Sequence, residues 1–402
     1  MSLILEGGVT TPAGFRAAGV YCGIKKSPDS LDLALIAAGG PVPAAAVFTT
    51  NRAVAAPVVV SREHLARTGG LASAIVTNSG CANACTGEAG MQVARDMAAA
   101  TASAVGCPVE QVLIASTGVI GVPLDIARIR TGVTAAAGVL SVSGGEAATR
   151  AIMTTDPFPK SCAITVAGPA GPITVGGMAK GSGMIEPRMA TMLAYLTTDV
   201  KIAPAVLRAA LTRVVDQTFN AITVDGECST NDSVFAMASG ESGVTIARED
   251  DPAFMEALVG VAGHLAREIV RGGEGATKLV TLRVTGAVSH GDAWLAVRTI
   301  ANSPLVKTAI HGGDPNWGRL IAAAGRSGAA FVLEHASVSI GPVPLFVDGV
   351  PFDERSEQAA SVLQGDTMLI TVDLGTGGSH EATMWTCDFS AEYVRINAEY
   401  RT

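Results

Sequence analysis

The chain contains 402 residues, of which 48% carry apolar side chains and only 16% are charged. This composition excludes a mainly disordered chain, and the length predicts about two domains of ordinary size. With 4% aromatic residues and a net charge of −8, the surface suits neither nucleic acid nor anionic membranes. The seven cysteines are scattered, and no signal peptide or uninterrupted apolar span is visible, so we expect a cytoplasmic protein.

The first half of the chain predicts short strands cut by Gly and Pro, with helices after them. Thr86 is expected to cap the first long helix, and the fifth strand is expected to break at Thr117–Gly118. The predicted strands cover residues 31–37, 44–50, 55–61, 71–80 and 111–121, and the predicted helices cover about 88–105, 123–136 and 146–153.

The second half begins with a strand, a glycine-rich loop and another strand over residues 172–199. Both alternating faces of the later strand are apolar, which predicts a strand covered on both sides. Strands and helices then alternate without regular βαβ order, so we predict an α/β fold built as an α+β-like layered sandwich, with mixed sheets covered by helices. The remaining predicted helices cover about 204–219, 252–271 (capped by Asp251), 291–303 and 316–326; a strand covers 278–286, and strands such as 329–333 dominate the last 75 residues.

The sequence lacks the motifs that indicate a metal or a nucleotide. Its six histidines show no HExxH or paired spacing, and Cys81 and Cys85 have no second ligand pair of the kind a zinc site needs. The glycine-rich stretches match neither the phosphate loop nor the dinucleotide pattern, and no GxSxG nucleophile motif occurs. We therefore expect neither a metal nor an organic cofactor.

Residues 180–193 place a glycine-rich loop and a small residue before a threonine at the head of an apolar strand. The pattern alone leaves open that Thr191 is an ordinary strand residue, which Thr favours. The alternative is a nucleophile whose base is its own α-amine, freed by cleavage of the Ala190–Thr191 bond. Such an amine has an ordinary pKa of about 7.7–8.0 and can take the hydroxyl proton near neutral pH. The glycine-rich loop permits the strained backbone that an N→O acyl shift requires.

Acyl transfer also needs hydrogen-bond donors for the oxyanion. Ser116, Thr117 and Gly118 end an apolar strand at a glycine. The Thr117 hydroxyl and the Gly118 N–H are therefore candidate oxyanion donors, although an ordinary strand-ending turn would have the same sequence.

Together these segments resemble the glutamate N-acetyltransferase (ornithine acetyltransferase) family of arginine biosynthesis, over nearly the whole chain. The resemblance implies self-cleavage into an α chain of residues 1–190 and a β chain of 191–402, closely packed and of N-terminal-nucleophile type. The blocks that carry it are TPAGFRAAGVYCGIK, NSGCANACTG, IASTGVIG, AIMTTD, KGSGM with EPRMATML, DGECSTND, VKTAIHGGDPNWGR and YVRINAEYRT.

The resemblance also implies the roles of individual residues. Thr191 is the acetyl-accepting nucleophile, and Thr117 with Gly118 forms the oxyanion hole. The implied activity moves the acetyl group from N²-acetylornithine to glutamate through an acetyl-Thr191 intermediate, in a heterotetramer of two α and two β chains. The implied substrate contacts are Thr154, Lys180, Thr191, Glu274, Asn397 and Thr402.

Residues just before the implied cleavage point depart from the pattern of many family members. This chain has Glu186 and Arg188 where Met-Ile-His-Pro-Asn-Met-Ala-Thr is common. Some relatives carry Glu-Pro there, including a paralogue of clavulanic-acid biosynthesis, whereas the terminal INAEYRT favours the arginine pathway. Other readings stay open: an enzyme that also uses acetyl-CoA, an autoproteolytic amidase or aminopeptidase, and an uncleaved regulatory protein.

Overall fold

The structure is a computed structural model that describes residues 2–4, 7–186 and 192–399, with the backbone alone at 2–4. The chain folds into two compact units. One combines the first 220 residues with Glu227–Ile269, and the other combines Ala221–Gly226 with the chain from Val270 onward. Each unit contains a sheet with parallel and antiparallel pairs together with helices, which confirms the predicted α/β class with mixed sheets.

The first unit contains one large sheet and most of the longer helices. Two short strands, Lys201–Ile202 and Thr245–Ile246, pair with each other separately from it. Its strands are β1 (Ser2–Ile4), β2 (Phe15–Val20), β3 (Leu33–Phe48), β4 (Leu71–Cys81), β5 (Val112–Val119), β6 (Lys160–Gly168), β7 (Gly171–Lys180), β8 (Leu193–Thr198), β9 (Lys201–Ile202), β10 (Ser233–Ala238) and β11 (Thr245–Ile246), and its helices are α1 (Ala56–Arg67), α2 (Gly87–Val105), α3 (Ile126–Gly138), α4 (Gly145–Ile152), α5 (Pro204–Gln217) and α6 (Pro252–Arg271).

The large sheet has the strand order β1-β6-β7-β8-β10-β3-β4-β5, with β2 also paired to β3. Strand β3 belongs to both halves of this sheet. Its first part, up to Ala38, pairs with β2 and β4, and its last part, Ala44–Phe48, pairs with β10. The ladder between β3 and β4 shifts register between Ala37 and Val42, around Gly39, Gly40 and Pro41. One long strand therefore carries the chain from one half of the sheet to the other.

The two halves of the sheet face each other across a shared apolar core. Residues of β4 and β5, such as Ile75 and Leu113, lie in one cluster with Tyr195 of β8 and Phe235 of β10. The Tyr195 hydroxyl lies 2.6 Å from the hydroxyl of Thr77 on β4, and both side chains are buried. The outer face of the β2–β5 half packs against α1, α2 and α3. This arrangement is the predicted layered sandwich, and β8 is buried along its whole length as predicted.

Several local predictions are wrong, and packing explains them. Residues 55–61 are predicted to form a strand, but helix α1 begins at Ala56. Pro57 occupies its first turn, and the buried Val58 and Ser61 lie on one helical face. Strand β3 is continuous where two strands were predicted. Thr86 precedes α2 without capping it, because its hydroxyl donates to Asn83 instead.

The second unit is a six-stranded sheet covered by helices, with the strand order β15-β14-β13-β16-β12-β17. Residues 329–333 form no strand, and the sequence reading missed the last two helices. Its strands are β12 (Leu279–Ala287), β13 (Ser337–Ile340), β14 (Val343–Val347), β15 (Val350–Pro351), β16 (Thr367–Asp373) and β17 (His380–Cys387), and its helices are α7 (His290–Ala301), α8 (Pro304–Gly312), α9 (Trp317–Gly325), α10 (Ser356–Leu363) and α11 (Ala391–Glu399). Among the helices the structure describes, none is both long and apolar enough to cross a bilayer.

Removing the Tyr195 hydroxyl tests the contact between the two sheet halves. Tyr195→Phe leaves the buried Thr77 hydroxyl without this partner, so we expect the free energy of unfolding to fall by about 1–3 kcal/mol. Tyr21→Phe is the matched control, since Tyr21 is 38% exposed, and it should change stability by less than about 0.5 kcal/mol. Urea unfolding measures both variants. Equal stabilities of the two variants would contradict the prediction.

Candidate active site

A buried lysine and a buried threonine meet at the ends of two strands in the first unit. Lys180 is the last residue of β7, and its Nζ donates a hydrogen bond to Oγ1 of Thr117 on β5 at 2.9 Å. Both residues are less than 5% exposed. An ammonium group has donors only, so the Thr117 oxygen is the acceptor in this bond. The hydroxyl proton of Thr117 is therefore directed to a different acceptor.

The strand that carries Thr117 is fixed by two asparagines. The Ser116 hydroxyl donates to Oδ1 of Asn78 at 2.6 Å, and Nδ2 of Asn231 donates to the Ser116 carbonyl at 2.9 Å. The same Asn231 amide also donates to the carbonyl of Ala82. These bonds are buried, so they hold the end of β5 in one geometry.

Gly118 follows Thr117 in a conformation that only glycine adopts easily. Its φ is +125°, and a Cβ built there would lie 2.3 Å from the carbonyl carbon of Gly80 on β4. The predicted break at Thr117–Gly118 is wrong, because strand β5 continues to Val119 and only its backbone conformation changes at Gly118. The close approach of two glycines gives the Gly118 N–H a fixed direction.

Asp156 joins three segments around Lys180. Its Oδ1 accepts hydrogen bonds from Nζ of Lys160 at 2.6 Å and from the Gly181 amide at 2.8 Å, and its Oδ2 accepts one from the Thr154 amide at 3.0 Å. Burial alone would raise the pKa of Asp156, but the charges of Lys160 and Lys180 and the Gly181 N–H outweigh it and lower the pKa to about 2. Asp156 thus stays ionised and ties Thr154 to the residue after Lys180.

Lys25 fixes the same loop from another side. Its Nζ donates to the carbonyls of Leu31 and Met153, each at 2.7 Å, and Met153 directly precedes Thr154. Burial lowers the pKa of Lys25 to about 8, opposed by Asp32 and Asp156 and assisted by Lys180. The Lys25 segment is in turn held by the buried Asp32 carboxylate, which accepts from the backbone amides of Cys22, Ile24 and Lys25.

A buried carboxyl group also lies at the start of β8. Asp232 precedes β10, is 1% exposed, and accepts the Met192 amide on Oδ1 at 2.9 Å. Burial raises the pKa of Asp232 well above its ordinary value, although the Met192 amide, the Lys180 charge and the Ser229 amide oppose the rise. This carboxyl group therefore favours its neutral form.

The second unit brings Glu274 and Asn397 together. Nδ2 of Asn397, on α11, donates to Oε2 of Glu274 at 2.9 Å, and Glu274 is 8% exposed. The loop that carries Glu274 is fixed at Gly275, which has φ +68° and whose carbonyl accepts from the Ser390 hydroxyl. A Cβ at Gly275 would lie 2.5 Å from the Tyr393 amide, so this contact also demands glycine.

The far end of that loop is held by Asp388. Its carboxylate accepts the amides of Thr277 and Lys278 at 2.7 and 2.9 Å, the Thr277 hydroxyl at 2.6 Å, and Nδ1 of His311 at 2.7 Å. Burial acts to raise the pKa of Asp388, but these hydrogen bonds outweigh burial and lower it. The acidic side chain of Glu274 is thus presented on a rigid loop.

Of the predicted site residues, the structure brings together Thr117, Gly118 and Lys180, connects Thr154 to them through Asp156, and pairs Glu274 with Asn397. The sequence reading missed Asp156, Lys25, Asp232 and Asn231. The block AIMTTD ends in Asp156 and the block DGECSTND ends in Asp232, so the motifs themselves could have pointed to both carboxylates. Ala190, Thr191 and Thr402, together with Arg188, lie outside the described residues.

The fold and these clusters define an α/β protein whose polar groups converge where buried strands end. The model of the ArgJ family matches residues 16–402, and the chain belongs to that family. This confirms the family predicted from the motifs and, with it, an enzyme of arginine biosynthesis.

Relatives resemble this chain along nearly all of its length. The arginine biosynthesis bifunctional protein ArgJ of Symbiobacterium thermophilum is 48% identical, over 99% of this chain and 99% of that protein. The protein of the same name from Chlorobaculum tepidum is 49% identical, over 97% and 96%. A crystal structure of ornithine acetyltransferase complexed with ornithine, from Mycobacterium tuberculosis, is 43% identical over 46% of this chain and 97% of that chain, with a TM-score of 0.43.

Breaking the buried ion pair tests the role of Asp156 as an anchor. Lys160→Met removes one cation from a carboxylate whose side chain is fully buried, and we expect a loss of about 3–5 kcal/mol in the free energy of unfolding. Arg150→Met is the control, because it breaks an exposed pair with Glu146 and should cost less than about 1 kcal/mol.

The acid stability of the same variant gives a second measurement. Because folding depresses the pKa of Asp156 to about 2, its contribution is present above about pH 4 and is lost as the pH falls through 2. Lys160→Met should therefore lose less stability than the wild type between pH 4 and 2. A steeper loss in the variant would contradict this account of the pair.

Proposed function

We propose that this chain is a glutamate N-acetyltransferase that moves the acetyl group of N²-acetylornithine to glutamate, after self-cleavage between Ala190 and Thr191. The observation that carries the proposal is the buried bond from Lys180 to Thr117 beside Gly118. It leaves a hydroxyl proton and a neighbouring backbone N–H as two donors at one strand end, which is the donor pair that an acyl-transfer oxyanion needs.

The proposed reaction is a double displacement at Thr191. Its hydroxyl attacks the acetyl carbonyl while its α-amine takes the hydroxyl proton, and Thr117 and Gly118 hold the negative oxygen of the tetrahedral intermediate. The C–N bond then breaks, and ornithine leaves with the proton from that amine. Glutamate attacks the acetyl-Thr191 ester in the same way and leaves as N-acetylglutamate. No metal or organic cofactor takes part.

The Lys180 side chain has two roles in this reaction scheme. Its charge orients Thr117 as an oxyanion donor, and it offers an attraction for the carboxylate of either amino-acid substrate. Thr154, held by Asp156 and Lys25, adds a hydrogen bond.

The remaining contacts give the scheme its selectivity for substrate. Glu274 suits the cationic side chain of ornithine, because its carboxylate is partly buried and already oriented by Asn397. Thr402 is a further proposed substrate contact.

A second donor is a specific alternative, because the relatives are named bifunctional proteins. Acetyl-CoA would then acylate the same Thr191, and glutamate would again be the acceptor. An assay with acetyl-CoA and glutamate, in the absence of N²-acetylornithine, separates the two possibilities. Formation of N-acetylglutamate in that assay establishes the second activity.

The proposed α chain (1–190) and β chain (191–402) would remain joined through one sheet. Strand β7 of the first pairs with β8 of the second, and β10 of the second pairs with β3 of the first. The two products of cleavage therefore share backbone hydrogen bonds and a core. We propose a cytoplasmic heterotetramer with two copies of each chain.

Chain composition gives the first test of this function. The 40.6 kDa protein should yield two chains of roughly 19 and 21 kDa, in proportion to their lengths. The second chain should begin Thr-Met-Leu.

Thr191→Ala should remain one chain and lose acetyl transfer, whereas Thr191→Ser keeps a hydroxyl and can still cleave. A Thr191→Ala protein with wild-type turnover would show the nucleophile assignment to be wrong.

Steady-state kinetics test the oxyanion donor. Thr117→Val removes the hydroxyl, and kcat should fall by about 10²–10³. The control is Thr131→Val on the exposed face of α3, which should leave kcat unchanged.

Initial rates against both substrates should give parallel double-reciprocal lines, as a ping-pong order requires. Intersecting lines would exclude the acetyl-enzyme intermediate.

A further inference from the structure

The reaction scheme proposed above assigns no role to the buried carboxyl group of Asp232. Asp232 is 1% exposed, and its Oδ1 accepts the Met192 amide at 2.9 Å. Its Oδ2 is buried and has no hydrogen-bond partner within the described part of the chain. Buried polar atoms are nearly always paired, so an unpaired carboxyl oxygen beside the start of β8 requires an explanation.

Strand pairing fixes where this carboxyl group lies. Ser233 of β10 pairs in parallel with Leu193 of β8, so Asp232 stands beside Met192, one residue before both strands begin. The backbone carbonyl of Asp232 also accepts the Thr49 amide, which anchors the segment to the end of β3. Asp232 is therefore positioned by two neighbouring strands.

The residue whose amide Asp232 binds is the second residue after the proposed scissile bond in the sequence. The Met192 nitrogen is 2.9 Å from Oδ1 of Asp232. Asp232 therefore binds the residue that comes immediately after Thr191 in the sequence.

Burial favours the protonated form of this carboxyl group. It raises the pKa of Asp232 well above the ordinary value, against the Met192 amide, the charge of Lys180 on β7 and the Ser229 amide. Oδ1 already accepts an N–H, so the proton of the neutral form belongs on Oδ2. In the neutral form of Asp232, the unpaired oxygen carries a proton that it can donate.

We propose that Asp232 is the catalytic acid of self-cleavage, resting on the proposed cleavage between Ala190 and Thr191. As the Thr191 hydroxyl oxygen bonds to the Ala190 carbonyl carbon, the C–N bond breaks and Oδ2 of Asp232 gives its proton to the departing nitrogen. The proton released from the Thr191 hydroxyl returns to Oδ2. The shift thus converts an amide and a hydroxyl into an ester and an amine, and leaves Asp232 neutral. Water then hydrolyses the ester.

The test follows the uncut 402-residue chain, made by cell-free translation and sampled over time on a denaturing gel. Asp232→Asn keeps an oxygen acceptor for the Met192 N–H but has no acidic proton, and it should slow cleavage by about 10²–10⁴. Asp199→Asn is the matched control. Asp199 is also a buried carboxyl group of the same sheet, where it accepts the Thr174 amide at 3.1 Å, and its variant should cleave at the wild-type rate.

A pH series distinguishes an acid from a structural anchor. The wild-type cleavage rate should fall as the pH rises through the pKa of Asp232, because the proton that it donates is lost. The slow residual cleavage of Asp232→Asn should lack this fall. A structural role would lower the rate without changing the shape of the profile.

The outcomes separate this proposal from the proposed function. Wild-type cleavage rates in Asp232→Asn, with Thr191→Ala still uncut, would overturn the role of Asp232 and leave the nucleophile standing. Failure of the wild type to cleave at residue 190 would overturn both. Should Asp232→Asn not fold, as judged by circular dichroism, the wild-type profile decides: a rate that does not fall at high pH overturns the proposal.

Discussion

The bend of strand β3 is the constraint on which the rest of the first unit depends. One strand serves both halves of a sheet, and glycines and a proline at 39–41 let it turn between them. The halves then face each other, which brings the end of β5 to the end of β7. Only in that arrangement can Lys180 reach Thr117, because the two strands lie at distant positions in the strand order.

Three lysine ammonium groups lie where the strand ends converge, and backbone carbonyls and a carboxylate stabilise their charges. The three are Lys25, Lys160 and Lys180, and removing their ammonium groups from water costs free energy. Asp156 compensates for part of this charge, and Lys25 is satisfied by two carbonyls. The charges on Lys160 and Lys180 in turn keep Asp156 ionised despite its burial. The cations and the carboxylate therefore depend on each other, and the geometry around Thr154 follows from their balance.

Sequence patterns predicted several buried strands, such as β4 and β8, most of the longer helices and the residue types of the site, because apolar periodicity and motif blocks are local. They did not predict the buried β6 and β10. They did not predict α1, since its valines favour a strand and only packing against β5 makes it a helix. The supporting residues Lys25 and Asn231 were missed for a related reason. Each acts through a partner that is distant in the sequence, such as Lys25 on the carbonyl of Met153, and a single sequence does not reveal such pairs.

Two of the buried carboxyl groups of the first unit show how the local environment sets the pKa of a side chain. Asp156 and Asp232 are the same side chain, both are buried, and both accept backbone amides. Asp156 has a lysine in direct contact and is ionised, whereas Asp232 has only the more distant charge of Lys180 and favours its proton. A permanently charged Asp156 can anchor loops but cannot exchange protons near neutral pH. A neutral Asp232 beside the Met192 amide keeps a proton despite its burial, which is the property that the proposed acid of self-cleavage requires.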